Sequence, residues 1–299
     1  MKQHEAEELL ALLPAGRTLF TYGKDWYALS LLEMGLGRSA PAPLRNTTLA
    51  RLLEKPVVKS WLGTLGRKDF TSADLALLRP GESETYRLTA SLFSGWTQTS
   101  RRGNEAWNIV LQLNLNADDA CWMERICAER HEDPFEWGCH PIHRGRHRTL
   151  AWARIDIDWE SGEALIEEIQ NDRIRAVSDR VKRIRDQDLR TIRLRHAEVD
   201  AGFVLRYWEE RLRLSRKWWD EAMLCAAIRF VVRELGIRRI YYHSPVSGAR
   251  LKRVKDAPLS LYSDLPRRFC FERTEDLPAF IPKLRRKSRA GLWMHRLCL

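Results

Sequence analysis

The sequence lacks long apolar stretches, and glycine and proline are sparse. No apolar run approaches the roughly 20 residues that a membrane-spanning helix needs, and the 299 residues include only 16 glycines and 12 prolines. Because 44% of the residues are hydrophobic, the chain has enough apolar side chains for a packed core and does not resemble a disordered or fibrous polymer. We therefore expect a globular protein without a membrane segment.

Cysteine is sparse too, with six residues that have neither the density nor the spacing of a disulfide framework. Residues 1–13 include Glu5, Glu7 and Glu8, at positions where a secretory signal would carry cations. These features predict reduced, mostly buried cysteines and a cytoplasmic location.

Several catalytic motifs are absent. The sequence contains no glycine-rich nucleotide loop, no Walker lysine, no G-x-S-x-G elbow and no H-E-x-x-H helix. Their absence argues against phosphoryl transfer, serine hydrolase and zincin chemistry. No cofactor is predicted, and whether the chain is an enzyme stays open.

Positive charge is in excess, with a formal net charge of +11. It is concentrated, since residues 173–217 hold fourteen Lys or Arg against seven Asp or Glu, and residues 282–299 hold six against none. Such surpluses repel themselves unless an anion is near, so phosphate is the first partner to consider. The alternative is a solvated helix face with i,i+4 ion pairs, as the mixture of Lys182, Arg183 and Asp186 would allow.

The cations expected to contact phosphate lie in three segments: a polar loop between two strands, the basic stretch after residue 173, and the C-terminal tail. The loop could equally be an ordinary hairpin connection. The candidates are Arg101, Arg102, Arg183, Arg185, Arg190, Arg193, Arg195, Lys283, Arg285 and Arg286.

The hydrophobic period changes near residue 82. Residues 24–34 and 49–65 carry apolar side chains at helical spacing, whereas residues 85–92 and 107–115 alternate as strands do. The sequence therefore predicts a helical N-terminal region, 1–82, and a mixed α/β body with a basic C-terminal tail, 83–299. We expect an α/β (α+β) fold with a mixed, mostly antiparallel sheet.

Further along, residues 149–158 and 164–169 predict a strand pair joined by a short turn. The basic stretch 173–217 is expected to be mostly helical. Residues 218–235 have little polar face and predict a buried helix that ends at Gly236, before a strand over 237–243.

Three carboxylates stand at the end of the strand over 164–169: Glu167, Glu168 and Asp172. Neighbouring strand residues point to opposite faces, so Glu167 or Glu168 must face inward or toward a cleft. A carboxylate there is costly to desolvate unless it is paired, which makes it a candidate general base or cation ligand. Salt bridges to nearby arginines are the alternative.

Cysteine and histidine bunch between residues 121 and 147. Their spacing matches none of the usual zinc patterns, so no metal site is predicted. The alternative to a metal site is a His- and Arg-rich connection that lies near an anion. The group comprises Cys121, Cys127, His131, Cys139, His140, His143 and His147.

Residues 149–275 resemble the second half of the GNAT acyltransferase fold. The order strand, turn, strand, helix, strand is followed by Ser260-Leu261-Tyr262 and by Arg268-Phe269-Cys270-Phe271. The resemblance implies a coenzyme A pyrophosphate turn, rich in glycine, at the start of the central helix. Here Trp218-Trp219-Asp220-Glu221 stands at that start, so we expect no acetyl-CoA binding.

The segment from Ile166 to Asp172, I-E-E-I-Q-N-D, is also similar to the E-I-Q-S-D motif of large phage polyvalent proteins, whose activity is unassigned. Together these features favour a basic protein that binds nucleic acid or a nucleotide-like polyanion. An enzyme with a carboxylate site, such as a degenerate GNAT-like acyltransferase, and a module that docks an acidic protein are the alternatives. The oligomeric state is not predicted.

Overall fold

A sheet of eight strands forms the centre of the protein. The computed structural model describes residues 1–13, 18–36, 47–65, 70–77, 81–94, 99–101, 106–126, 133–143, 147–195, 197–252, 258–281 and 290–299. The strands lie in the order β1-β2-β3-β4-β5-β8-β10-β9, and a separate hairpin pairs β6 with β7. All neighbours are antiparallel except β5 and β8, which run parallel. The fold is therefore α/β with a mixed, mostly antiparallel sheet, as predicted.

The first 82 residues are mostly helical, but they also contribute a strand that the helical prediction missed. This strand, β1 (Thr18–Gly23), pairs with β2 (Ser83–Ser94) across residue 82. The helices are α1 (Gln3–Leu12), α2 (Trp26–Leu36), a 3₁₀ turn (Thr48–Glu54), α3 (Pro56–Leu65) and α4 (Ser72–Leu77).

The central strands follow their apolar patterns. They are β3 (Trp107–Asn114), β4 (Thr149–Asp158), β5 (Glu163–Gln170) and β8 (Arg239–His243), with α5 (Asp118–Ile126) between β3 and β4. The predicted strand pair is thus confirmed as β4 and β5. Consecutive strand residues point to opposite faces, and Ala164, Leu165 and Ile166 are all buried. Both faces of β5 are therefore covered, as expected of a strand in the interior of a sheet.

The basic stretch after β5 is not one helical region. It contains α6 (Asp172–Gln187), the hairpin β6 (Thr191–Leu194) with β7 (Ala197–Asp200), and α7 (Ala201–Arg206) with a following π-turn (Tyr207–Arg211). The hairpin was missed because its alternating apolar residues are few and stand among arginines, whereas Ile192, Leu194 and Val199 are buried in the core.

The predicted buried helix is confirmed as α8 (Ser215–Arg229), extended by a π-turn (Phe230–Glu234). Its residues from Glu221 to Ile228 are all buried, because it packs against the sheet and against α2. After β8 come α9 (Pro245–Leu251), a π-turn (Ser260–Asp264), α10 (Leu265–Arg268), β9 (Glu272–Thr274) and β10 (Met294–Cys298).

The helices of the described residues include none that is both long and apolar enough to cross a bilayer.

Candidate functional site

A cleft opens where the two parallel strands part. β5 and β8 pair from Glu163–Arg239 to Ile166–Tyr242, and β5 then continues to Gln170 without β8 beside it. The cleft has a volume of about 710 Å³. It is lined by Glu168, Ile169, Gln170, Asn171, Ile174, Arg175, Ser178, Arg216, Lys217, Trp219, Asp220, Pro258, Ser260, Leu261 and Tyr262. It lies at the carboxyl ends of the parallel strands, the usual position of ligand sites in such sheets.

A β-bulge at Glu167 shapes the floor of this cleft. Arg154 of β4 pairs with Glu168, whereas the next residue, Ile155, pairs with Ile166, so Glu167 has no partner residue in the ladder. A bulge re-aims the side chains beside it. It allows Glu167 to be buried beneath the cleft while Glu168 lines it.

Glu167 is the acceptor of a buried polar network. It accepts hydrogen bonds from the Ser100 amide and hydroxyl, both at 2.9 Å, and lies 3.1 Å from His243 Nε2. The other ring nitrogen of His243 lies 2.9 Å from the Ser247 hydroxyl. Every polar atom of this network is therefore engaged by another, which is how buried polar groups are tolerated. Glu167 is thus fully buried, its carboxylate is hydrogen-bonded, and it does not line the cleft.

Glu168 has a different environment. One of its carboxylate oxygens lies 2.6 Å from Arg154 and 3.2 Å from Lys252 Nζ. Lys252 is buried, and its ammonium also donates to the Glu167 carbonyl at 2.6 Å. Burial alone would raise the pKa of Glu168, but the charges of Lys252 and Arg154 lower it. The cleft therefore has an ionised carboxylate held by two cations.

Asp172 lies at the first turn of α6 and joins two cleft elements. Its carboxylate contacts His140 Nδ1 at 2.6 Å, Gln170 Nε2 at 2.7 Å and Arg175 at 3.2 Å. Burial alone would raise the pKa of Asp172, but the hydrogen bonds with His140 and Gln170 lower it. The preceding Asn171 caps α6 by accepting from the Ile174 amide at 2.7 Å.

Three cations and two aromatic rings line the cleft. Arg175 is 59% exposed and Lys217 is exposed, while Arg216 contacts Glu209 at 2.6 Å. The rings are Trp219, which is partly exposed, and Tyr262, which is buried. The ring of Tyr262 packs on Gly248, where a Cβ atom would come within 3.0 Å of it, so this position of α9 favours glycine.

Two helices, α6 and α8, line the cleft, and the one that the GNAT resemblance concerned is α8. α6 follows β5 directly and begins at Asp172, whereas Trp218 and Trp219 lie inside α8, which comes after β6, β7, α7 and the π-turn (Tyr207–Arg211). The chain segments β6 to α7 separate the two, which the sequence pattern did not resolve. The start of α6 still contains no glycine.

None of the predicted phosphate contacts that the structure describes lines the cleft, and they are dispersed. Arg101 is partly buried and pairs with Asp156 at 3.0 Å and Asp158 at 3.4 Å. Arg183 lies exposed on α6 near Gln187, and Arg185 pairs with Glu209 at 2.8 Å. Arg190, Arg193 and Arg195 are exposed on the β6–β7 hairpin or next to it. Arg102, Lys283, Arg285 and Arg286 lie outside the described residues.

The cysteine and histidine group does not converge in the part of the chain that the structure describes, where no three His, Cys, Asp or Glu side chains could share a metal ion. Cys127 and His131 lie outside that part. Cys121 and Cys139 are exposed thiols, and His140 contacts Asp172 instead.

Sequence reasoning selected the carboxylates but missed their partners Ser100, His243, Lys252 and Arg154, and it placed His140 in a different grouping. No local signal marks them, because each meets the carboxylates only through tertiary contacts. The His140–Asp172 contact could have been suspected from the bunched histidines, although nothing distinguishes His140 among them.

Compared with models of protein families, with curated proteins and with solved structures, the chain has no significant match.

Proposed function

We propose that the cleft between β5 and β8 binds a phosphorylated, nucleotide-like polyanion, either a free nucleotide or a segment of single-stranded nucleic acid. The observation that carries this proposal is that Arg175, Arg216 and Lys217 come from two different helices and line one cleft with Trp219 and Tyr262. Cations attract phosphates, and aromatic rings stack on bases, so the lining suits both halves of a nucleotide.

The acidic residues of the cleft do not oppose this role. Glu168 is held by Arg154 and Lys252, and Asp220 lies 2.9 Å from Arg268. Both carboxylates are thus offset by cations that lie outside the cleft lining. Lys217, by contrast, is exposed and forms no ion pair with another described residue within 4.0 Å, so its charge is available to a ligand.

A titration of labelled single-stranded DNA and RNA oligonucleotides, and of ADP, tests the proposal at low salt. Arg175→Ala and Lys217→Ala should each weaken binding roughly tenfold, since a charged hydrogen bond contributes about 1.5 kcal/mol or more. Arg183→Ala is the matched control, because Arg183 is an exposed arginine of α6 that does not line the cleft. Equal loss in all three variants would assign binding to the general basic surface, and no binding would remove the proposal.

An enzyme with a carboxylate site is the second candidate. Of the three carboxylates predicted from the sequence, Glu168 lines the cleft, and Tyr262 lines it too. Burial and the charge of Glu168 raise the pKa of Tyr262, so its hydroxyl stays protonated at neutral pH. An ionised carboxylate and a protonated phenol in one cleft are the groups that proton transfer to and from a ligand requires.

A further inference from the structure

His140 is held in one orientation by a carboxylate and an amide. Its Nδ1 atom lies 2.6 Å from one carboxylate oxygen of Asp172, and Gln170 Nε2, 3.2 Å from the same nitrogen, donates to the other oxygen. Trp137 stacks beside the ring with 6.3 Å between centroids, and Trp152 packs at 5.6 Å. The ring is thus fixed on three sides.

The remaining nitrogen of this ring faces outward. The His140 side chain is 26% exposed, and no hydrogen bond to its Nε2 is found among the residues that the structure describes. When a carboxylate accepts the Nδ1 proton, the neutral imidazole carries its lone pair on Nε2. In that neutral form the Nε2 of His140 is a proton acceptor, whereas His243 has both nitrogens engaged in the buried network.

His140 lies next to residues that line the cleft. Asp172 connects the His140 ring with Arg175, and both Gln170 and Arg175 line the cleft. Trp137, which stacks on the ring, is 55% exposed, so an apolar surface is available beside His140. His140 does not itself line the cleft, so a ligand held at Arg175 reaches this ring only by extending past Asp172.

We propose that His140, at the edge of the cleft beside Gln170, is the acid–base residue for the bound ligand. Its Nε2 accepts a hydrogen bond or a proton from an O–H or N–H group of the bound ligand, such as a ribose hydroxyl or the amine of a base. Asp172 and Gln170 act through it as positioning residues. This inference rests on the proposed function, because the ligand is the one held by the cleft cations.

The polar side chains of the segment from Ile166 to Asp172 then have different roles. Glu167 anchors the buried network and Glu168 lines the cleft. Gln170 and Asp172 orient His140, and Asn171 caps α6. One short segment thus supplies a buried anchor, a residue of the cleft, the cap of α6 and the partners that hold His140.

Carbethoxylation by diethylpyrocarbonate at pH 7 measures how available each imidazole is, with the rate at every histidine read by peptide mass spectrometry. His4 is the internal reference, because it lies exposed on α1. We expect His140 to react at least as fast as His4 despite its lower exposure. Asp172→Asn should slow His140 severalfold and leave His4 unchanged, because the variant no longer holds the tautomer.

Gln170→Ala serves as the second variant if Asp172→Asn does not fold, and it should slow the reaction to a smaller extent. Saturating ADP should protect His140 and not His4. An unreactive His140, or equal rates in parent and variants, would overturn the inference. A third result is that the variants lower the reactivity of His140 while ADP binds without changing it. That result would place His140 outside the ligand site and would also overturn the inference. If ADP and oligonucleotides fail to bind at all, the proposed function fails, and the variant rates still decide whether the dyad exists.

Discussion

The Nε2 atom of His243 lies 3.1 Å from a carboxylate oxygen of Glu167, and neither side chain reaches solvent. Burial lowers the pKa of His243 more than Glu167 raises it, so the imidazole is neutral at pH 7 and donates to an ionised carboxylate. Burial alone would raise the pKa of Glu167, but the hydrogen bond with His243 and the charges of Lys252 and Arg154 lower it to about 2. The stability of the cleft floor therefore depends on pH.

Glu167→Gln should destabilise the protein by about 2 kcal/mol at pH 7, since hydrogen bonds to a charged acceptor are lost. A carboxyl group whose pKa is lower in the folded protein than in the unfolded chain stabilises the fold at pH values above its unfolded pKa, which is about 4.3. That stabilisation is lost as the pH falls toward about 2. The difference in unfolding free energy between parent and variant should therefore narrow below pH 4.3, as urea denaturation at several pH values can measure. A constant difference from pH 7 to pH 3 would contradict this account.

The control for that experiment is Glu168→Gln. Glu168→Gln leaves the buried charges of Arg154 and Lys252 less compensated, so it should also destabilise the protein, by about 1 to 3 kcal/mol, and the two variants should differ in binding. Removing a negative charge from the cleft should also tighten polyanion binding a few-fold, whereas Glu167→Gln should leave binding by the folded fraction unchanged.

Arg101→Ala should act on stability and leave binding unchanged. Arg101 pairs with the fully buried Asp156, and its guanidinium stacks 4.4 Å from the centre of the Phe280 ring. Removing one partner of such a pair leaves a buried charge less compensated, so we expect a loss of about 1 to 3 kcal/mol. Thermal or urea unfolding measures the loss, and oligonucleotide titration provides the control. Weaker binding without any loss of stability would show that Arg101 contacts the ligand.

The salt dependence of oligonucleotide binding reports how many phosphates are neutralised. If the three cleft cations carry the interaction, the slope of log K against log salt should be about −2 for a single strand, at about 0.7 per contact. Arg175→Ala should make the slope shallower by about 0.7, and Arg183→Ala should not change it. A much steeper slope would indicate that the dispersed arginines bind the strand instead.

Acetyl-CoA should bind no more tightly than ADP. In this cleft Asn171 already accepts the Ile174 amide, Asp172 stands in the first turn of α6, and no glycine opens that turn. Backbone amides at the helix start are thus poorly placed to receive a pyrophosphate. Isothermal titration measures the affinity. A dissociation constant in the low micromolar range, about −8 kcal/mol, would favour an acyltransferase.

The regular elements could be predicted wherever burial imposes a clear period. β4, β5, β8 and α8 were predicted because their apolar residues alternate or form continuous runs. β1 and the β6–β7 hairpin were missed because their patterns are short or stand among arginines. The Glu167 bulge could not be predicted, since an extra residue in a ladder depends on the partner strand.

The candidate site was predictable only in part. The acidic residues follow one strand and were recognisable as a group. Their partners are distant in the sequence, since Ser100 and His243 are 67 and 76 positions from Glu167, and His140 is 32 positions from Asp172. Contacts of this kind arise when the sheet assembles, so a local pattern does not contain them.

Photo-crosslinking with an azido-adenine nucleotide, followed by peptide mass spectrometry, tests most directly whether the cleft is the binding site. The account predicts saturable crosslinks within Ser215–Arg229 and Ser260–Asp264, the segments that hold Trp219 and Tyr262, and their loss in Lys217→Ala. Crosslinks confined to the β6–β7 hairpin or to residues 290–299, or no saturable crosslink, would contradict it.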